Sequence, residues 1–231
     1  RMKKLLLAFI FILYVCFQGI DLWFPAFWSY SSYFKFAAML LCFGLLLVPG
    51  EPAVSRRDRF LVRMALGFTL LSDFLLLFTR VHAPGIFIFC GAQLCYIARY
   101  RKSLLGPSVA LYGAGMLLAA VSFLLRLSLP YELIAGGCYA VLILTAYGGS
   151  FAAALPAPCK RRAIIGMTLF VVCDINVMLY NLFPMSGSNR ISGLFMWFFC
   201  LPSQLFIVLS ASGDRRKGPR QTEENCLQQP L

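Results

Sequence analysis

Two aspartates stand where carboxylates are costly. Asp73 and Asp174 each lie deep in a long apolar run. Ionisable side chains inside a membrane helix usually face a cavity and mark function. At about 1.5 Å per residue, both acids fall roughly 15–20 Å from the side on which their runs begin. Two acids at one depth, on two helices of one direction, point to a shared site. The alternative is local: each acid hydrogen-bonds to a neighbour and ties two helices together. Further polar groups keep the same helix faces, since Asn181 follows Asp174 by seven residues and Thr69 precedes Asp73 by four. Gln93 and Gln204 are amides in apolar runs that need partners, and Tyr96 follows Gln93 by three residues. Lys35, near the outer end of its run, can either reach a carboxylate or snorkel to the headgroups.

Other chemistries lack their residues. No G-x-S-x-G motif, P-loop or helix-opening G-x-G-x-x-G occurs. His82 is the only histidine, which argues against a Ser-His-Asp triad or a histidine-rich metal site. The nine cysteines form no C-x-x-C pair, so the spacing of a zinc site is missing. Seven of them read as small apolar side chains within helices. Cys159 and Cys226 lie in basic or polar stretches. No metal and no cofactor is expected, and any reaction falls to carboxylates and amides.

The elements that must position these residues are membrane helices. Of the 231 residues 60% are hydrophobic and 13% charged, against about 25% charged in soluble domains. Eight runs are long enough to span, at about 20 residues each: 4–20, 31–48, 60–79, 85–99, 104–125, 131–151, 163–183 and 191–211. Breaks separate them at Pro49-Gly50-Glu51-Pro52, Pro84-Gly85, Gly106-Pro107, Pro130 and Pro156-Ala157-Pro158. The net charge of +12 follows the same plan. One side takes Arg1, Lys3 and Lys4; Arg56, Arg57, Arg59 and Arg63; Arg99, Arg101 and Lys102; Lys160, Arg161 and Arg162; and Arg215, Arg216, Lys217 and Arg220. The other side takes Lys35, Arg80, Arg126 and Arg190, which completes the 21 basic residues. Cytoplasmic loops carry such an excess. The expectation is an all-α, multi-pass protein of the cell membrane with eight spans and both termini cytoplasmic. The basic charge then needs no nucleic acid to explain it. The first run has a signal-like start but no A-x-A-like cleavage site, so it reads as an uncleaved helix. Residues 1–212 read as the membrane domain and 213–231 as a polar, disordered cytoplasmic tail. Leu71-Ser72-Asp73 against Val172-Cys173-Asp174, and Phe89-Cys90 with Gln93 against Phe199-Cys200 with Gln204, hint at a parallel four-plus-four repeat.

Four short motifs, in order from the second run to the eighth, resemble the YhhN-like lysoplasmalogenases. Ser72-Asp73-Phe74-Leu75-Leu76, following Lys35, stands for a Gly-Asp motif and its apolar tail. Pro84-Gly85 and Ala92-Gln93-Leu94-Cys95-Tyr96 stand for Pro-Gly and Ala-His-Leu-x-Tyr. Cys173-Asp174 with Asn181-Leu182-Phe183 stands for Ser-Asp and Asn-x-Phe, and Gln204 with Leu209-Ser210 closes the series. The chain departs from the pattern at Gln93 for histidine, Ser72 for glycine, Cys173 for serine and Phe36 for the proline after the lysine.

The resemblance implies eight helices and hydrolysis of the vinyl-ether bond of a lysoplasmalogen, a lysophospholipid drawn from the bilayer. Asp73 and Asp174 would be the catalytic pair, one giving a proton and the other stabilising positive charge and activating water. Lys35, Gln93, Tyr96, Asn181 and Gln204 would support them or bind substrate. Gln93 can hydrogen-bond but cannot shuttle a proton near neutral pH. Two other readings compete: a transporter or lipid-binding protein using an acid pair at mid-depth, and a catalytically silent family member. The oligomeric state has no signature in the sequence.

Overall fold

A computed structural model describes residues 2–48, 54–79, 82–126, 131–182 and 188–212. Outside them lie the breaks at 49–52 and at Pro130, Arg1, Arg80, Phe183, Cys226 and the tail from 213 with its four basic residues. The side chains of Trp28 and Arg190 are likewise not described.

The described residues form eight α-helices: α1 Met2–Trp23, α2 Trp28–Leu47, α3 Arg56–Phe78, α4 His82–Tyr100, α5 Leu105–Leu124, α6 Tyr131–Phe151, α7 Ala157–Leu182 and α8 Ser188–Ser210. Seven are long and apolar enough to cross a membrane. The exception is α4, which carries Gln93, Tyr96 and Arg99 and packs mainly on α3 and α6. Its polar groups turn toward other helices, with Gln93 and Tyr96 fully buried, so its low apolarity reflects an interior position.

Several ends differ from the sequence expectation. α7 begins at Ala157 rather than near 163, so Pro158 is inside its first turn. Pro84 and Pro107 likewise stand in the first turns of α4 and α5. The first backbone N–H groups of a helix have no partner within it, so proline starts a helix as readily as it ends one. His82 opens α4 instead of lying in a loop.

One end of the bundle is basic and cross-tied. Ser55 caps α3, its Oγ accepting from the N–H of Asp58 at 2.9 Å. Arg99, near the end of α4, donates to both carboxylate oxygens of Asp58 at 2.7 and 3.0 Å and to Ser210 Oγ of α8 at 2.8 Å. Arginines also satisfy last-turn carbonyls that lack helical donors. Arg63 donates to the carbonyl of Leu46 at 2.8 Å, Arg57 to that of Ala98 at 3.3 Å, and Arg162 to that of Leu209 at 3.2 Å. The starts of α3 and α7 therefore share this end with the finishes of α2, α4 and α8.

Each main packing among the helices recurs four helices on. The pairs are α1 on α2 with α5 on α6, α2 on α3 with α6 on α7, and α3 on α4 with α7 on α8. Two more follow: α4 on α5 with α8 on α1, and α4 on α6 with α8 on α2. The tightest pairs depend on small residues. A Cβ on Gly166 of α7 would lie 2.7 Å from Ile207 Cγ1 and 3.0 Å from the Ser203 carbonyl oxygen of α8, the close backbone approach that glycine permits between membrane helices. Ser72 of α3 donates to the Gly85 carbonyl of α4 at 2.8 Å.

Pro202 lies inside α8 and has no N–H to offer the carbonyl four residues back. That carbonyl belongs to Phe198, and the Tyr14 hydroxyl of α1 donates to it at 3.1 Å. A helix defect thus becomes a bond between α1 and α8.

Candidate active site

Asp174 lies on α7, where the Tyr139 hydroxyl of α6 donates to its Oδ2 at 2.6 Å. That hydroxyl oxygen in turn accepts from Gln93 Nε2 of α4 at 3.2 Å. Three helices therefore meet in one chain of bonds, Gln93 to Tyr139 to Asp174. The tyrosine ring stacks on Phe89 of α4, with centroids 5.2 Å apart and planes 8° from parallel. Phe170 packs edge-on to both Phe89 and Tyr96. This aromatic wall fixes the hydroxyl in direction as well as position.

Asp73 lies on α3, 9% exposed, and within electrostatic reach of Asp174. The pair expected from the sequence is thus brought together. Tyr96 donates to Gln204 Oε1 across α4 and α8 at a long 3.5 Å. Three side-chain atoms in this region have no hydrogen-bond partner: Asp73 Oδ2, Gln93 Oε1 and Gln204 Nε2. Both glutamines are 0% exposed. Buried polar atoms rarely go unsatisfied, and such atoms call for water or a ligand. Two acceptors and one donor are on offer to a guest molecule. Among the described residues, no group of three or more His, Cys, Asp or Glu could hold a metal ion.

Two expectations need correction. Asn181 is exposed, and its amide donates to its own helix at the Val177 carbonyl, 2.8 Å away. Helical spacing put it on the face of Asp174, but the face turns outward by the last turn of α7. Lys35 does reach a carboxylate, but that carboxylate is Asp21 of α1, at 2.7 Å. Two further acids, Asp21 and Asp58, are buried as well. Both sit in end turns that the apolar runs leave out.

Tyr139 carried no signal of its own in the sequence. An isolated tyrosine in an apolar run reads as packing, and only its bonds to Gln93 of α4 and Asp174 of α7 mark it out. Lys35 lies 5.3 Å from the Trp197 ring and 5.9 Å from the Phe17 ring. An open apolar groove of about 350 Å³, lined by Phe68, Gly91, Cys95 and Tyr112 among others, runs along α4. On the helical wheel it lies opposite Gln93 and does not belong to this site.

Residues 30–211 match the YhhN family. No curated protein and no solved structure matches the chain.

Proposed function

The chain belongs to the YhhN family, and from that membership together with the buried acid pair we propose that it hydrolyses the vinyl-ether bond of lysoplasmalogens. The products are a fatty aldehyde and a glycerophospho-headgroup. The observation that carries the reading is Asp73 and Asp174 within electrostatic reach, one oxygen of Asp73 unpartnered.

The roles follow from their surroundings. Tyr139 donates to Asp174, which suits a carboxylate that accepts. Asp73 is the proton donor. It protonates the β-carbon of the vinyl ether, and the former double bond leaves an oxocarbenium-like carbon. Asp174 offsets that positive charge, then takes a proton as water adds to the carbon. The resulting hemiacetal collapses when Asp174 returns its proton to the glycerol oxygen and Asp73 removes one from the new hydroxyl. One water is consumed and both acids are restored.

Gln93 stands where the family has histidine. Its amide donates to Tyr139, and that is an orienting role a histidine N–H can also fill. The reading therefore keeps the chemistry without a proton shuttle on α4. A second reading, a silent family member, rests on this same substitution. The two separate on Gln93→His: a gain from zero turnover favours the silent relative, whereas a modest change from a working rate favours the hydrolase.

We further place α4 as the eighth span, the basic end on the cytoplasmic side of the cell membrane, and the two halves as a parallel repeat. The recurrence of every main packing four helices on supports the repeat. The test of the activity is release of aldehyde from a lysoplasmalogen by purified protein in detergent, with an ester-linked lysophospholipid as control. Asp73→Asn and Asp174→Asn should each abolish release while the helical content and melting curve stay unchanged. Full rates in both variants would overturn the proposal.

A further inference from the structure

At the end of the bundle away from the basic cluster, α1, α2 and α8 enclose a second polar site. Lys35 and Asp21 form an ion pair of 2.7 Å, 9% and 4% exposed. The rings of Trp197 and Phe17 face the lysine nitrogen and pack edge-on with centroids 6.0 Å apart. Ser31, one helical turn before Lys35, is fully buried and its hydroxyl has no partner. Gln18, one turn before Asp21, has an unpartnered buried Nε2. Among the described residues the site therefore offers one cation, one anion, two unused donors and two aromatic faces.

We propose that this cluster is the headgroup subsite for a zwitterionic lysophospholipid. The proposal rests on the lysolipid reading of the acid pair and adds to it where in the fold the headgroup binds. A phosphoammonium headgroup exchanges one neutral pair for another. Lys35 turns from Asp21 to the phosphate, with the Ser31 hydroxyl and the Gln18 amide as further donors. Asp21 takes the ammonium, which also gains the faces of Trp197 and Phe17. No net charge enters the apolar interior, so the exchange avoids the cost of burying a lone ion. A purely anionic headgroup has no such balance, because its second charge meets Asp21.

Geometry supports access here. Only Ile10, Phe17 and Asp21 of α1 are buried, with Leu6, Leu7, Leu13 and Tyr14 packed partly against the core, so this helix lies at the edge of the bundle. Its bonds to α8 at Tyr14 and to α2 at Asp21 close the seam through which a lipid headgroup would slide. The subsite and the acid-pair region share α8: Trp197 of the subsite lies two turns before Gln204, whose Oε1 accepts from Tyr96.

The experiment uses three alkyl-ether probes that cannot be hydrolysed, so that binding is read even if the chain has no turnover. They carry phosphoethanolamine, phosphoglycerol or a bare glycerol, and are titrated into full-length protein in maltoside micelles. Tryptophan emission, with Trp197 as the reporter in the site, gives the affinities. Wild type should bind the phosphoethanolamine probe at least tenfold more tightly than either other probe. Asp21→Asn should reverse the preference toward phosphoglycerol, and Lys35→Met should weaken both phosphate probes to the level of bare glycerol. Asp21→Glu, which keeps the charge, should restore the wild-type order. Equal binding of all three probes by wild type overturns the proposal, as does an Asp21→Asn protein that melts like wild type yet keeps the original order. Loss of aldehyde release with this binding order intact would refute the hydrolase reading alone.

Discussion

Tyr139 does at residue scale what neither aspartate can do alone. Its hydroxyl accepts from Gln93 and donates to Asp174, so a single oxygen sets the direction of the carboxylate. Tyr139→Phe keeps the ring, its stacking on Phe89 and its volume, and removes only the bond. Turnover should fall about 100-fold, within the range of general acid–base contributions, with KM little changed. Steady-state aldehyde release, alongside a melting curve that does not move by more than a few degrees, checks this. A KM effect with unchanged kcat would make the tyrosine a substrate contact instead. Asp73, Asp174, Gln93 and Gln204 were legible in the sequence because a polar side chain inside an apolar run is conspicuous. Tyr139 was not, because tyrosine is ordinary in such runs and its partners come from two other helices. Asn181 misled for the opposite reason: helical periodicity gives a face but not the direction in which that face looks.

Helix ends decide the next scale. Arg99 is bidentate to Asp58, reaches Ser210, and has a side chain only 1% exposed. It joins α3, α4 and α8 at a single guanidinium. Removing it leaves the Asp58 charge buried and unpaired, which costs about 3–5 kcal/mol. Arg99→Ala should therefore lower the melting temperature sharply, and Arg99→Lys should rescue little, since an ammonium cannot match the planar fork. Pairing Arg99→Met with Asp58→Leu should recover much of the loss, because no lone charge remains. Thermal unfolding of wild type, Arg99→Met, Asp58→Leu and the pair closes this double-mutant cycle. The sequence showed these basic residues as markers of sidedness and hid their second task. Arg57, Arg63, Arg99 and Arg162 all spend their donors on carbonyls or carboxylates at helix ends, and composition cannot separate a loop charge from a cap.

For the whole molecule, the basic excess at one end and the recurrence of packing four helices on are the two organising facts. The first was readable from the sequence by counting Lys and Arg between apolar runs. The second showed only as short matches around Asp73 and Asp174, because helix packing is carried by small and apolar residues that can exchange for one another freely. If the basic end is cytoplasmic, reporters fused after Ser212 should be accessible only from the cytoplasmic side, and a cysteine-reactive label on Arg126→Cys, with the native cysteines replaced, only from the opposite side. Labelling of both positions from one side would remove a span and break the proposed topology. The eight-span count then rests on α4, the one described helix that falls short of the apolarity of a span and one with much of its length buried.

The placing of the unpartnered atoms of Asp73, Gln93 and Gln204 inside a bundle of apolar helices bears on how the proposed hydrolase would meet its substrate. A lysolipid that arrives sideways is counted per unit of membrane area and not per litre of buffer. The working concentration is then a mole fraction: adding inert phospholipid or detergent dilutes the substrate and slows the rate, even when the total amount in the tube is fixed. Enlarging the aqueous volume around the same vesicles leaves the rate per vesicle unchanged.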